Sequence, residues 1–264
     1  MIQKIPLYNA INMIKGYNSI QIFSPMEWTE SSWNPVTGCS KISAGCKNCY
    51  AEKMAKRLQA MGQKNYVNGF NLTIHEDVFN LPLKWKTPQM IFVNSMSDLF
   101  HESLPFDIIK KLFDIMNKCY RHTFQILTKR SNILYEYSKY LNWTDNIWMG
   151  VTVENQDCVN RIYDLQRTES KIKFISFEPL ISDIIDVDLR YIDWVIVGGE
   201  SGPGFRPVQK EWVINIKEKC LEYEIPFFFK QWGGYNKKKN GRLLFNREWK
   251  EMPKILENKV LIER

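Results

Sequence analysis

Phe124-Gln125-Ile126-Leu127-Thr128-Lys129-Arg130 is a short apolar run that ends in polar and charged residues, and residues 131–140 behind it repeat apolar side chains at helical spacing. The next run, 147–153, ends in Glu154-Asn155 and is followed by a second helical stretch, 156–167. Continuous apolar runs of this length, separated by helices, mark parallel strands buried on both faces. The alternation extends outward in both directions. Upstream, 90–94 ends in Ser95-Met96-Ser97-Asp98 ahead of a helical 105–119, and 50–61 also has helical spacing. Downstream, 173–177 ends in Glu178-Pro179 and 194–197 ends in Gly198-Gly199-Glu200-Ser201-Gly202. A helical 212–223 then precedes 226–229, which ends in Lys230-Gln231-Trp232-Gly233.

Six strands are thus expected after residue 49, with a weaker first strand near 20–28 and at most a short helix between 178 and 194. About seven such units predict a full or partial (β/α) barrel of parallel strands with helices outside; a doubly wound open sheet is the alternative. The barrel is expected over 28–235, with an N-terminal extension at 1–27 and a basic appendage at 236–264. In parallel α/β architectures the C-terminal strand ends share one face, where ligands bind. Asp98, Lys129, Glu154, Glu178, Glu200 and Lys230 would all meet there.

The 264 residues are 44% apolar and 25% charged, which excludes wholesale disorder. Apolar runs such as 225–229 fall far short of the roughly 20 residues of a membrane span. The opening residues Met1-Ile2-Gln3-Lys4-Ile5-Pro6 lack a signal-peptide pattern. A soluble cytoplasmic protein without a membrane partner is expected. The net charge is +7, and 206–264 holds 14 basic against 8 acidic residues. That excess suits a polyanion such as DNA or RNA as well as it suits a solvated face.

Three of the six cysteines fall within Thr37-Gly38-Cys39-Ser40-Lys41-Ile42-Ser43-Ala44-Gly45-Cys46-Lys47-Asn48-Cys49-Tyr50. Cys119, Cys158 and Cys220 stand alone in apolar or helical contexts, where a free thiol behaves as a small hydrophobe. Without a secretory signal, metal binding explains the group better than disulfides. A closed zinc site needs four ligands, and His75, His101 and His122 are scattered. Three thiolates on one Gly- and Ser-containing loop suit a four-iron cluster with one iron open to a substrate or cofactor. Zinc and a purely structural role stay open at this point.

A cysteine-rich loop opening a partial (β/α) barrel resembles the radical S-adenosylmethionine superfamily. More narrowly, Trp28-Thr29-Glu30-Ser31-Ser32-Trp33-Asn34-Pro35-Val36-Thr37-Gly38-Cys39 and Gly45-Cys46-Lys47-Asn48-Cys49-Tyr50-Ala51 resemble the phage Gp37/Gp68 family, also called DUF5131. Val93-Asn94-Ser95-Met96-Ser97-Asp98-Leu99-Phe100, Leu127-Thr128-Lys129-Arg130, Gly150-Val151-Thr152-Val153-Glu154-Asn155, Phe177-Glu178-Pro179-Leu180, Gly198-Gly199-Glu200-Ser201-Gly202 and Phe229-Lys230-Gln231-Trp232-Gly233 carry it onward, from about residue 28 to 233. The superfamily usually has three and two residues between its cysteines, where this chain has six and two. Asn48 also stands where an aromatic residue is usual, and Tyr50 is the aromatic side chain that could replace it.

The resemblance implies a [4Fe-4S] cluster on Cys39, Cys46 and Cys49, with S-adenosylmethionine at the open iron. It implies a flavodoxin- or ferredoxin-like electron donor, and release of a 5′-deoxyadenosyl radical that abstracts hydrogen from a substrate. Tyr50, Ser95, Ser97, Asp98, Lys129, Arg130, Thr152, Glu154, Asn155, Gly198 and Gly199 would then surround the cofactor. Ser95, Ser97 and Asp98 would accept from its amino group, Lys129 or Arg130 would pair its carboxylate, and Glu154 or Asn155 its ribose hydroxyls. Glu178, Glu200 and Lys230 would act on the substrate. The basic C-terminal third, with Trp232, Tyr235 and Trp249 as stacking surfaces, suggests a nucleic acid as that substrate. A peptide or small molecule is the alternative within the class, and a non-catalytic zinc-stabilised nucleic-acid-binding module the alternative outside it.

Overall fold

The computed structural model describes residues 28–253. The 1–27 extension, nearly all of the strand expected at 20–28, and residues 254–264 of the appendage lie outside them. In chain order the regular elements are β1 (Ser31–Trp33), β2 (Val36–Thr37), α1 (Tyr50–Ala60), β3 (Thr73–Ile74), β4 (Met90–Val93), α2 (Phe106–Lys118), β5 (Thr123–Thr128), α3 (Ser131–Ser138) and β6 (Ile147–Thr152). There follow α4 (Asn160–Gln166), β7 (Ile172–Phe177), β8 (Trp194–Gly198), α5 (Lys210–Glu222), β9 (Phe227–Gln231) and α6 (Lys237–Asn240). No helix forms between β7 and β8.

All six strands expected after the cysteines are present, and the first strand of the sheet is β1. It was not legible as a strand because its Ser31-Ser32-Trp33 is polar and only three residues long. It forms by pairing in parallel with β4, Ser31 opposite Ile91 and Trp33 opposite Val93. Tertiary pairing here overrides a weak local preference.

The seven parallel strands run β1-β4-β5-β6-β7-β8-β9, and β2 pairs with β3 as a separate antiparallel ribbon. A doubly wound sheet reverses its strand order at a switch point; this order never reverses, so the chain winds in one direction only. The alternation of side chains agrees. Ile91, Val93, Phe124, Ile126, Met149, Val195 and Val197 join the buried faces of α2, α3, α4 and α5 in one core. Phe92, Trp148, Phe174, Trp194, Ile196 and Phe228 form a second core on the other face, with Trp28. Helices cover one face, and the bare face curls around its own aromatic side chains. The result is a partial (β/α) barrel, open between β1 and β9.

Trp194 is the hub of that interior. Its ring lies 5.7 Å from Phe174, 6.0 Å from Trp28 and from Phe228, and 6.2 Å from Trp148, mostly edge-on. Such pairs add about 0.5–1.5 kcal/mol each beyond burial. Gly150 leaves room for the Phe174 ring, which comes within 2.5 Å of where a β-carbon would stand. The edge of β9 is covered by the chain itself: Phe229 N–H donates to Trp249 O at 2.9 Å, and Glu251 N–H to Phe227 O. Among the described residues no helix is long and apolar enough to cross a membrane.

Candidate functional site

The aromatic plug fills the lower part of the barrel and leaves the C-terminal strand ends polar. The loop carrying Cys39, Cys46 and Cys49 leaves β2, forms one 3-10 turn at Ala44–Cys46 and runs into α1. Ala51 and Ala55 of α1 pack on Met96 just beyond β4, which seats the loop above the strand ends. Tyr50 donates its phenol hydrogen to Ser95 O and is otherwise largely exposed.

Each of the four carboxylates that the sequence places at this mouth has acquired a cation. Three of the resulting pairs hold the cysteine loop. From the ends of β4 and β5, Asp98 and Arg130 meet at 3.1 Å, both buried. Arg130 also donates to Cys39 Sγ at 3.4 Å, to Ser40 O at 3.2 Å and to Ser40 Oγ at 2.7 Å. From the end of β6, Glu154 is fully buried, pairs with Arg161 at 2.7 Å, and accepts from Gly45 N–H at 3.2 Å and from the Ser43 hydroxyl. Beyond β8, Glu200 accepts from Arg206 Nε at 2.9 Å and from Asn48 Nδ2 at 3.0 Å, while Arg206 donates to Ala44 O at 2.9 Å.

Burial opposes ionisation of Glu154 and Glu200. For Glu154 the charges of Lys129 and Arg161 with the Ser43 and Gly45 hydrogen bonds outweigh it; for Glu200, Arg206 and Asn48 do so. Both carboxyls are held below the usual carboxylate range.

The fourth pair differs. Glu178, beyond β7, receives Lys230 Nζ of β9 on both oxygens at 2.8 Å. Their side chains are 19% and 15% exposed, and the Glu178 carboxyl lies 3.2 Å from where a Gly198 β-carbon would stand. This pair faces the bare side of the sheet, below the loop. Gly199 allows a close crossing, since a β-carbon there would come within 2.2 Å of Trp232 O.

The remaining expected residues divide. Ser95 donates to Asn34 Oδ1 at 3.1 Å and Ser97 to Val36 O at 2.9 Å, so both hydroxyl hydrogens are already directed. Asp98 additionally accepts from Thr128 Oγ1 at 2.6 Å and from the Phe100 and Lys129 amides. Thr152 is buried on the inner face, and Asn155 Oδ1 is buried without a hydrogen-bond partner. Lys129 is half-buried, and its charge reaches both Cys46 and Glu154. Trp249 is faced by Arg247 at 3.3 Å and Lys217 at 4.2 Å, and Trp232 packs on Phe229 and donates to Leu243 O. Of the three stacking surfaces expected at the C terminus, Tyr235 is the exposed one. Cys119, Cys158 and Cys220 are buried as expected.

Sequence reasoning missed Ser40, Ser43, Arg161, Arg206 and Glu102, which accepts from Arg130 Nε and from the Ser40 hydroxyl at 2.7 Å. Arg161 lies seven residues from Glu154, and Arg206 six from Glu200. Glu154 follows β6 while Arg161 lies in α4, and Glu200 and Arg206 both lie in the irregular loop between β8 and α5, so neither pair shares a regular element whose period could announce it.

All six cysteines are free, and the three of the loop are half-buried. Burial and the Asp98 charge push the Cys39 thiol up to about 11 against the pull of Arg130. Burial also works against Cys46, but Lys129 and backbone hydrogen bonds at Ile42 and Ser43 bring its thiol below the ordinary value. Among the described residues no group of three or more His, Cys, Asp or Glu side chains is arranged to hold a single metal ion. A multi-iron cluster asks something else of its ligands: thiolates spread over a larger inorganic body, with donors turned toward the sulfurs. Arg130 on Cys39 and the backbone hydrogen bonds at Ile42 and Ser43 on Cys46 are such donors. The donor set fits a three-thiolate cluster.

Two cavities adjoin the barrel. One of about 460 Å³, beside Cys39, is lined by Lys41, Glu52, Lys56, Gln59 and Asn71. The larger, about 670 Å³, is lined by Trp28, Gln89, Met90, Thr123, Asn146 and Trp148 at the N-terminal strand ends. That is the face opposite the cysteine loop, where barrels place stability rather than chemistry.

The family model described as "Protein of unknown function (DUF5131)" matches residues 23–253; the phage name attached to the resemblance has no counterpart in that description. No curated protein matches. Solved structures with some likeness are those of spore photoproduct lyase. A cysteine-to-serine variant has a TM-score of 0.46 at 13% identity, over 69% of this chain and 59% of that one. A complex with dinucleoside spore photoproduct has 0.45 at 12%, over 78% and 66%. A variant with bound AdoMet and the same dinucleoside has 0.44 at 11%, over 74% and 62%. The present chain thus spans about three fifths of the first of these, and the fold stands on its own strand order and register.

Proposed function

This chain belongs to the DUF5131 family, and from its own residues we propose that it is a radical S-adenosylmethionine enzyme that acts on a nucleic acid. The observation that carries this reading is the fastening of one three-cysteine loop by three ion pairs, drawn from the ends of four strands, above a polar barrel mouth. Cys39, Cys46 and Cys49 would hold a [4Fe-4S] cluster with S-adenosylmethionine at its open iron. Such a cluster would supply the one-electron reductive cleavage of the sulfonium bond.

The chain's own residues do the rest. Lys129 pairs the cofactor carboxylate, since Arg130 has spent its donors on the loop. Tyr50, fixed by Ser95 O, offers an aromatic wall, and Thr152 and Asn155 line the mouth. Asp98, Arg130, Glu154 and Glu200 act through the loop as positioning residues. Glu178 and Lys230 remain for the substrate: a carboxylate and an ammonium sharing a proton-rich contact on the inner face, able to orient a polar substrate or move a proton. The aromatic floor beneath them keeps water from below.

The nucleic-acid half is supported by the lip of the mouth. Lys41, Lys47, Lys53, Lys56 and Arg57 are exposed between residues 41 and 57, where Glu52 is the one acid. Lys53 leans across to Pro203 O at 3.3 Å, so these cations border the mouth itself.

The test is anaerobic reconstitution with iron and sulfide, then strong reductant and S-adenosylmethionine. Wild type should load a cluster and form 5′-deoxyadenosine. Cys39→Ala, Cys46→Ala and Cys49→Ala should each lose both, and Cys119→Ala neither. A colourless protein that binds only zinc supports the zinc-stabilised module instead. Oligonucleotide affinity should fall with salt, and Lys53→Glu/Arg57→Glu should flatten that slope. Indifference to both DNA and RNA at low salt removes the nucleic-acid half and leaves a peptide or small molecule as substrate.

A further inference from the structure

Arg130 is fastened more completely than a structural ion pair requires. Its side chain is 4% exposed, and all five guanidinium hydrogens find acceptors: Glu102 from Nε, Asp98 and Cys39 Sγ from Nη1, and Ser40 O and Ser40 Oγ from Nη2. Asp98, which orients it, is itself held by Thr128 Oγ1 and the Phe100 and Lys129 amides. A rigid, permanently charged donor is thus aimed from a strand end at one particular sulfur. Lysine cannot reproduce this, because its ammonium is a point charge on a flexible stem. Cys46 is met instead by backbone hydrogen bonds at Ile42 and Ser43, with no guanidinium on its sulfur, so the three thiols are unequally served.

We propose that Arg130 is a positioning residue that fixes Cys39 as a cluster ligand and, through its N–H contact to that sulfur, sets the cluster's reduction potential. This rests on the cluster reading given above. Hydrogen bonds to cluster sulfurs are among the factors that set such potentials. A cationic donor at a ligand sulfur favours the reduced state, which carries one more negative charge. Removing the donor makes the cluster harder to reduce.

The experiment compares wild type, Arg130→Lys and Asp98→Asn/Arg130→Gln. The double variant removes both buried charges, so Asp98 is not stranded, and the shorter glutamine cannot replace the Nη contacts to Cys39 and Ser40. After anaerobic reconstitution, iron and sulfide per chain are measured, and the midpoint potential is read by electron paramagnetic resonance during titration with dithionite. Arg130→Lys should load a cluster of more negative midpoint potential; in the double variant loss of the Asp98 charge opposes that shift, so it reports the placement of Cys39 through its iron content. A variant with native far-ultraviolet circular dichroism that loads less iron than wild type also supports the proposal, since Cys39 is then misplaced. Variants with wild-type iron content and wild-type potential overturn it while leaving the cluster reading intact. A wild-type chain that takes up no iron sinks that reading, and this inference with it.

Discussion

Replacing Glu154 tests whether the strand-end ion pairs organise the loop as described. Its carboxylate is fully buried and accepts from Gly45 N–H, the Ser43 hydroxyl and Arg161; Arg161 is itself buried and has the Thr152 carbonyl at 2.7 Å as a second partner. Glu154→Gln keeps the shape and an acceptor oxygen for Gly45, but leaves the guanidinium without a counter-charge. Breaking a buried pair costs about 3–5 kcal/mol. The retained carbonyl and amide contacts put this case near the lower end, about 3 kcal/mol. With a urea m-value of about 3 kcal/mol/M, the unfolding midpoint of the metal-free chain should fall by about 1 M. Glu154→Gln/Arg161→Met removes both charges and should recover most of the loss. The pH dependence has a fixed sign. The folded carboxyl is held below its unfolded value of about 4.3, so its stabilisation is complete above that pH and fades as pH falls through the folded value. Wild type and Glu154→Gln should therefore converge in acid. A single variant within about 0.5 kcal/mol of wild type at neutral pH, or a double variant no better than the single, would refute the reasoning.

Three further outcomes are expected. Gly150→Ala drives a methyl group into the Phe174 ring, which lies 2.5 Å from the required position, and should cost about 1–3 kcal/mol by chemical denaturation with normal iron loading; a neutral result would mean that the aromatic floor is loosely packed. Lys230→Met should leave cluster content and reductive cleavage of S-adenosylmethionine at wild-type levels while abolishing substrate turnover, and loss of cleavage itself would move this pair into the cofactor site. Arg206→Met strands Glu200, but Arg206 is only half-buried, so a loss of about 1–2 kcal/mol is expected. Iron uptake should weaken alongside, because Ala44 O loses its donor and Glu200 its counter-charge; unchanged uptake would count against the Glu200–Arg206 pair as a holder of the loop.

Much of the barrel was legible because burial on both faces leaves a parallel strand no polar side to show. The runs at 124–127, 147–153 and 194–197 announce themselves by being apolar throughout. What they do not announce is which face meets the helices. Ile126 and Trp148 are equally apolar in sequence, yet one packs under helices and the other fills the interior. β1 escaped for the opposite reason: an edge strand of three residues can be polar, since its partner supplies the pairing.

At the site, the cysteines were legible as chemistry and the carboxylates as positions, but not the division of labour among the latter. Asp98, Glu154, Glu178 and Glu200 look equivalent in sequence, each just past a strand. Their roles separate only when the cations arrive, and Arg130, Arg161, Arg206 and Lys230 share no regular element with their partners. The outcome has a physical logic. Residues 39–49 contain a single 3-10 turn, and ordering each backbone residue costs about 1–2 kcal/mol. The small cluster of Ala51, Ala55 and Met96 beneath the loop offers little apolar area in return. Buried ion pairs are poor sources of net stability, because desolvation offsets their attraction. Their strength is direction: an Arg–carboxylate contact fixes angles that an apolar contact leaves free. Three of them, on strand ends that cannot move independently, define where each part of the loop must lie. Well-packed apolar replacements of any one pair should then preserve stability while spoiling the placement of the nearest sulfur, and iron loading should fall in variants whose unfolding midpoints do not.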